Sequence, residues 1–512
     1  MQDQVLTDQQ IVRPAHVGPG GVSGATLIQL LFALLATDQM LLWRYLGLTS
    51  PLLWSAGVLA IAVTGIWLRS AAQRIATVSM QRLLLLFCFS IIVLIVAGEG
   101  RFFYANIDWQ VRDAVLRDMA MHPWPFAYGV DGQPPQMLRA PIGIYLIPAL
   151  IWKAAGPTAA DLAMLVQNAA LLTIVLALGS SLFDGRRARL IALTMATLFS
   201  GLDAIGHWLT HPAWESHLEF WFDWLQLSSH ITQLFWVPMH AIAGWTAAIL
   251  ILLWRKGVAP VGIVLAILPL TLLWSPFALL GVIPFLAFAV VQDLRHRRIS
   301  AGDIIAPSLT SLLSVPSLLF LGAAGDGVGI RLLATPLAPW LLFMTLEVLV
   351  WSVPLWIIAR RYPALQGPHQ RAFIVIATLF LLLSPLVQIG WSIDFMMRAS
   401  IPALAILCAM AAHAWVLTPS RVARLVLMVM LTLASITGLS EARRAFELPA
   451  SPRGTCSFFG AWDVSFKRYP KGSYLAPISK IPAIIRPQSP ATAAVHDPAH
   501  CWKGDWVRPS GV

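Results

Sequence analysis

Two aspartates five positions apart, Asp108 and Asp113, stand in the stretch Asn106-Ile-Asp-Trp-Gln-Val-Arg-Asp-Ala-Val-Leu-Arg-Asp118, with Arg112 and Arg117 between and beside them. A carboxylate held at hydrogen-bonding distance from a hydroxyl can take its proton as a new bond forms, which is general-base work. The same residues admit a plainer account. Asp108 is suited to cap a helix running from Trp109 to about Met121, accepting from the amides two and three residues on. Asp113 and Arg117 have the spacing of a surface ion pair worth about a few tenths of a kcal/mol. Spacing alone leaves both accounts open.

A second chemistry-bearing segment runs from His207 to Trp224. Pro212 suits a first helical turn, and His211, Glu215, Glu219 and Asp223 then recur every four residues as a polar stripe among tryptophans and phenylalanines. Tryptophans favour the headgroup zone, so an interfacial helix is the plain reading, with a His/Glu metal site or a sugar-binding surface as the functional one. Glu347 and Asp38 fall inside apolar runs, where an ionisable residue is a functional candidate by default. Glu347 lies near the middle of its run and is expected to face the bundle interior. Of four cysteines, Cys88 and Cys408 lie in apolar runs, while Cys456 and Cys501 lie in a proline-rich tail, where they can pair or stay as free thiols.

The elements that must position these groups are membrane helices. Hydrophobic residues make up 58% of the 512 and charged residues 12%, and the mean hydropathy is +0.73. A soluble domain of this length needs far more charge on its surface. The net charge of +11 reads as topology and lipid attraction, with no nucleic-acid partner implied, because the basic residues flank apolar runs or lie in the tail. Apolar runs of spanning length fall near 27–47, 51–68, 80–98, 161–182, 188–206, 234–254, 258–275, 276–292, 304–322, 337–358, 373–390, 400–417 and 421–439.

Sixteen lysines and arginines occupy six of the gaps: Arg69/Arg74/Arg82, Arg186/Arg187/Arg189, Arg255/Lys256, Arg295/Arg297/Arg298, Arg360/Arg361/Arg371 and Arg421/Arg424. By the positive-inside rule all six are cytoplasmic. The stretch from Ile142 to Ala155 must then stay out of the count, because spanning it would invert every later basic gap. It carries Lys153 and Pro148 and is read as a short interfacial segment. The expectation is an all-α membrane protein of about 13 spans. Residues 1–26 form a cytoplasmic tail, 27–439 the membrane domain with external loops 99–160 and 207–233 as a cap, and 440–512 an external tail of extended structure laid on the core. The first 25 residues lack a basic stretch ahead of an apolar core, so the first span is expected to remain as an anchor.

From Met80 to Leu190 the chain shows a span ending at the outer face, a loop with an acidic residue and an Arg-Asp pair, the Pro-led segment around Gln136-Met-Leu-Arg-Ala-Pro-Ile-Gly-Ile-Tyr145, and a span followed by Phe183-Asp-Gly-Arg-Arg187. This resembles the opening of GT-C-type glycosyltransferases, polytopic enzymes that use polyprenyl-phosphate sugars. The resemblance implies an essential acid near the start of the first external loop, matching Asp108 first and Asp113 second. This chain departs from the family in having two spans before that loop and in separating the two acids. The resemblance further implies a bacterial inner-membrane enzyme with a polyprenyl-phosphate sugar as co-substrate, a glycan, lipid or protein as acceptor, and a divalent metal as a possible addition. The leaving phosphate needs fixed cationic donors, for which Arg139, Arg331 and Arg398 are the outward candidates. Arg398 also has the spacing to pair with Asp394. Two other readings stay open: a transporter or flippase of lipid-linked glycans, centred on Glu347, and a glycan polymerase.

Overall fold

Serine and proline set where the apolar runs become helices. Ser23, Ser50, Ser79, Ser275 and Ser420 each accept a backbone N–H from the first turn of Gly24–Tyr45, Pro51–Ala71, Met80–Val96, Pro276–Arg295 and Arg421–Glu447. Pro51 and Pro276 occupy first turns, where a missing N–H costs nothing. The computed structural model describes residues 20–130, 132–211, 217–222, 224–325, 329–363, 367–502 and 506.

The protein is mostly helical, with little sheet. Among the described residues nine helices are long and apolar enough to cross a membrane: Gly24–Tyr45, Pro51–Ala71, Pro157–Ser180, Arg186–Thr210, Pro238–Arg255, Pro276–Arg295, Leu337–Arg361, Asp394–Leu417 and Arg421–Glu447. A tenth run, expected over 304–322, is split into Gly302–Leu313 and Val315–Gly322 and bent by 46° at Ser314, just before Pro316. The other three expected spans are realised as shorter apolar helices. Met80–Val96 stops at a left-handed Gly98, Val261–Ile267 tightens into a 3-10 turn at Pro269, and Gln370–Leu383 gives way at Pro385 to the short strand Val387–Ile389. The count of thirteen therefore exceeds the nine full-length helices by four, because three of the runs are shortened at proline or glycine and a fourth is bent. The outward surface is apolar, as on Pro51–Ala71, where Leu52, Val58, Leu59 and Ile66 are exposed to whatever lipid surrounds the bundle.

The basic gaps collect at one end of the bundle. Arg82 and Arg189 act on each other electrostatically. Lys256 Nζ donates to Ser181 O at 2.7 Å, and Arg255 donates to Pro368 O and to Gln370 Oε1. His369 feels both Arg255 and Arg298. Pro238–Arg255, about 27 Å long, carries His240 in its first turn and Arg255 in its last, so it joins this basic end to the opposite one.

At that opposite end the loop 99–160 and the tail build a shared cap. Strands run in the order Leu475–Pro477, Gln136–Leu138, Phe126–Gly129, Ala491–Ala494, so two strands of each origin form one sheet. Cys456 and Cys501 form a disulfide. The tail is thus more ordered than extended chain laid on a core: helix Arg421–Glu447 continues past the expected boundary, and Phe458–Ser465 is a further helix. Buried Asp118 joins the two halves, its Oδ2 accepting from Tyr128 Oη and from Phe458 N, both at 2.8 Å. The segment kept out of the span count, Ile142–Ala155, is a 13-residue helix, Gly143–Ala155, shorter than the spanning helices, with one face buried against Asp108–Met121 and Pro157–Ser180. Its Lys153 donates to Ala120 O at 2.8 Å and also to His122 O.

Candidate active site

Asn106 starts the helix that carries both acids. Its Oδ1 accepts from Asp108 N at 3.1 Å, while its Nδ2 and the indole of Trp109 both donate to Phe235 O. Asp108 is therefore the first residue of Asp108–Met121, Ile107 stands at the cap position, and the Asp108 carboxylate does not do the capping that was open to it. Freed from that task, the Asp108 carboxylate accepts from Arg112 Nη2 at 3.0 Å. It keeps 23% of its side-chain surface, enough for a ligand to reach it, whereas Arg112 beneath keeps 4%.

A second pair of the same design approaches from a distant part of the chain. On the short helix Asp394–Ala399, Arg398 Nη2 lies 2.7 Å from Asp394 Oδ1. Asp108 interacts electrostatically with Arg398, Asp394 and His217 as well as with Arg112. Tyr474 from the tail interacts electrostatically with both guanidiniums and both carboxylates, and His240 with Arg112 and Arg398. Two carboxylates, two guanidiniums, a phenol and two imidazoles thus converge from the loop, the tail and the helix mouths. Several of their polar atoms have no hydrogen-bond partner among the described residues: Arg112 Nη1, Arg398 Nε and His240 Nδ1, with Tyr145 Oη close by. Spare buried donors beside a solvent-reached carboxylate are what an anionic ligand with a hydroxyl partner would satisfy.

Electrostatics suit a base. Burial raises the Asp108 pKa above the ordinary aspartate value, while Arg112 and then Arg398 pull it back down. Burial likewise raises the Tyr474 hydroxyl, keeping it a neutral donor.

Asp113 looks the other way, as five helical positions require. It does not pair with Arg117. Arg101, set at φ 65°, reaches it at 2.8 Å and also holds Asp161 at 3.0 Å. Arg117 pairs instead with Asp118, 3.2 Å away. Burial raises Asp113 to about 6, opposed by Arg101 and reinforced by Asp161. The structure therefore places Asp108 and Asp113 in separate surroundings, and Arg453 of the tail completes the second one through Asp161.

Of the other two arginines, Arg139 is buried and turned to the cap, where Nη2 donates to Gly472 O at 2.8 Å and its backbone N to Tyr474 O at 2.6 Å. It supports the segment that carries Tyr474. Arg331 is exposed on the strand Ile330–Leu332 and lies over the Trp391 ring at 5.7 Å.

In the loop 207–233 the expected helix does not run through the described residues. Residues 217–222 and 224 are irregular, and Glu219 is turned inward, accepting from Gln226 Nε2 at 2.9 Å and Ser229 N at 2.8 Å. Burial and the nearby Asp203 raise its pKa to about 7. His211 ends the helix Asp203–Thr210, stacked on His207. Glu215 and Asp223 lie outside the described residues. Among those described, no group of three or more His, Cys, Asp or Glu side chains is arranged to hold a metal ion. Glu347 is buried, 2% exposed, as its position in the run implied.

Sequence reasoning missed Tyr474, Asp203 and the buried pair of His217 with Glu441, 2.5 Å apart. The contacts that place them are tertiary, 76 residues apart along the chain for Tyr474 and Arg398 and 224 for His217 and Glu441. No family model, no curated protein and no solved structure matches this chain.

Proposed function

We propose that this chain is a GT-C-like membrane glycosyltransferase that moves one sugar from a polyprenyl-phosphate donor to a glycan, lipid or protein acceptor at the outer face of a bacterial inner membrane. The observation that supports it best is the meeting of Asp108 with Arg112 and Arg398 at the cap end of an apolar helical bundle, with guanidinium N–H groups left over. In this reading Asp108 takes the proton of the acceptor hydroxyl as its oxygen bonds to the anomeric carbon. The bond from that carbon to the phosphate oxygen breaks, and the phosphate leaves with the electron pair. Arg398 and Arg112 stabilise the charge that develops on it. Tyr474 and His240 are within the same group and orient either partner. Arg331, exposed beside Trp391, is an outlying phosphate contact, and Arg139 acts through the Tyr474 segment. Direct attack of this kind inverts the anomeric configuration.

The reading takes the basic end as cytoplasmic and the cap as external, with the N-terminus inside, the C-terminus outside and the three shorter apolar helices counted as spans. The disulfide fits an oxidising compartment for the cap. Transport of lipid-linked glycans is the second reading, favoured by the buried Glu347. Purified protein supplied with synthetic polyprenyl-phosphate sugars and an acceptor glycan tests the first. Transfer that needs Asp108 supports it, and binding of the donor without any transfer, by folded protein and across the common envelope sugars, rejects it.

A further inference from the structure

Glu347 lies where the helix Leu337–Arg361 loosens into a π turn over Thr345–Leu349, a geometry that recurs at functional positions. Its carboxyl sits directly over the backbone of Gly201: a Cβ there would fall 1.8 Å from Oε2, so only glycine permits the approach. Bonds on both sides fix the contact, Leu202 N donating to Leu346 O at 3.0 Å and Trp351 Nε1 to Ser200 O at 2.7 Å.

Neither carboxyl oxygen of Glu347 meets a protein donor among the described residues. The group it faces is another buried carboxyl, Asp203, 1% exposed. Two carboxylates have only acceptors to offer each other, and two like charges in contact in a low dielectric repel strongly. One proton converts the contact into a hydrogen bond. The surrounding donors decide which partner carries it. Ser200 Oγ donates to Asp203 Oδ2 at 2.8 Å, with Thr437 and Trp221 nearby, whereas Glu347 meets no protein donor among the described residues. Donors favour the charged form of Asp203, which leaves the proton to Glu347. A third carboxyl, Glu219, also acts on Glu347, and among the described residues no cation acts on it to substitute for the proton.

We infer that Glu347 and Asp203 form a proton-binding site, in which one proton held on Glu347 and donated to Asp203 ties the π turn to the helix Asp203–Thr210. The inference is independent of glycosyl transfer and holds for a transporter equally.

Infrared difference spectroscopy on the full chain in lipid nanodiscs tests it. Wild type minus Glu347→Gln at neutral pH should contain one carboxylic-acid C=O band that shifts in deuterated water. The glutamine amide can still donate to Asp203, so this variant should keep its fold and melting temperature. Asp203→Asn offers Glu347 an amide donor, and should abolish or displace the same band. Absence of an acid band from the first difference spectrum overturns the inference, and so does an acid band that Asp203→Asn leaves unchanged. Loss of the wild-type band on adding sodium at constant pH would assign the pair to a metal cation and overturn it as well.

Discussion

At the scale of single residues, the account turns on Asp108 and the guanidiniums around it. Asp108→Asn keeps the size of the side chain and its bond to Arg112 but cannot accept a proton, so transfer should fall by about 10²–10⁴-fold with the melting temperature unchanged. Near-normal turnover in a steady-state assay would remove it from the mechanism. Arg398→Ala removes a fixed donor and should cost about 10²–10³-fold in kcat. It should also move the acid limb of the pH–rate profile upward, because Arg398 is one of the charges lowering the Asp108 pKa. The direction follows from linkage: the base is active above its pKa and lost as pH falls through it, so raising that pKa narrows the active range from the acid side. The pair of Arg398 with Asp394 was legible in the sequence from its spacing of four, whereas the equally spaced pair of Asp108 with Arg112 was not read, because Asp108 stood as a candidate cap. Tyr474 and Asp203 were not legible, since nothing within a helical turn of either announces the tertiary contact it makes.

At the scale of elements, the second external loop is fastened to the helix Arg421–Glu447 through His217, Glu441 and Arg444. Burial disfavours the charged His217 ring, but the Glu441 carboxylate outweighs it and lifts the pKa above 6.5. A group whose pKa is raised on folding contributes stability fully below its unfolded value and loses it as pH rises through the folded one. Thermal stability of wild type should therefore decline relative to His217→Gln as pH rises from about 6.5 through the raised pKa of His217, measured by melting at matched ionic strength. A pH-independent difference would contradict the latch. The tail is fastened differently. Cys456 and Cys501 close a loop with a sequence separation of 45, for which chain entropy predicts a stabilisation of about 4 kcal/mol. Cys501→Ser should lower the melting temperature and open 456–501 to protease, whereas protection equal to wild type would contradict the strap. Apolar runs made the helices readable, yet their breaks were not, because a run interrupted by Pro269, Pro316 or Pro385 keeps a spanning hydropathy while its backbone turns. The cap sheet was hidden for another reason: its two halves are hundreds of residues apart, and strands of three or four residues have too few positions to show alternation.

For the whole molecule, a basic end and a disulfide-bonded cap end are joined by apolar helices, and the six basic gaps of the sequence foreshadowed that polarity. With the cap external, an impermeant thiol reagent should label Cys501 in intact cells after mild reduction. Labelling only after lysis would invert the orientation. The central claim, that the site between cap and bundle transfers a sugar from a lipid phosphate, is tested most directly in cells carrying wild type, Asp108→Asn or Glu347→Gln at matched protein levels, by measuring envelope-glycan composition together with polyprenyl-linked sugars. The account predicts that Asp108→Asn loses one sugar from a glycan and accumulates the matching polyprenyl-phosphate donor, while Glu347→Gln, whose amide preserves the bond to Asp203, retains transfer. Failure of Glu347→Gln with Asp108→Asn indistinguishable from wild type would contradict it and turn the reading towards transport.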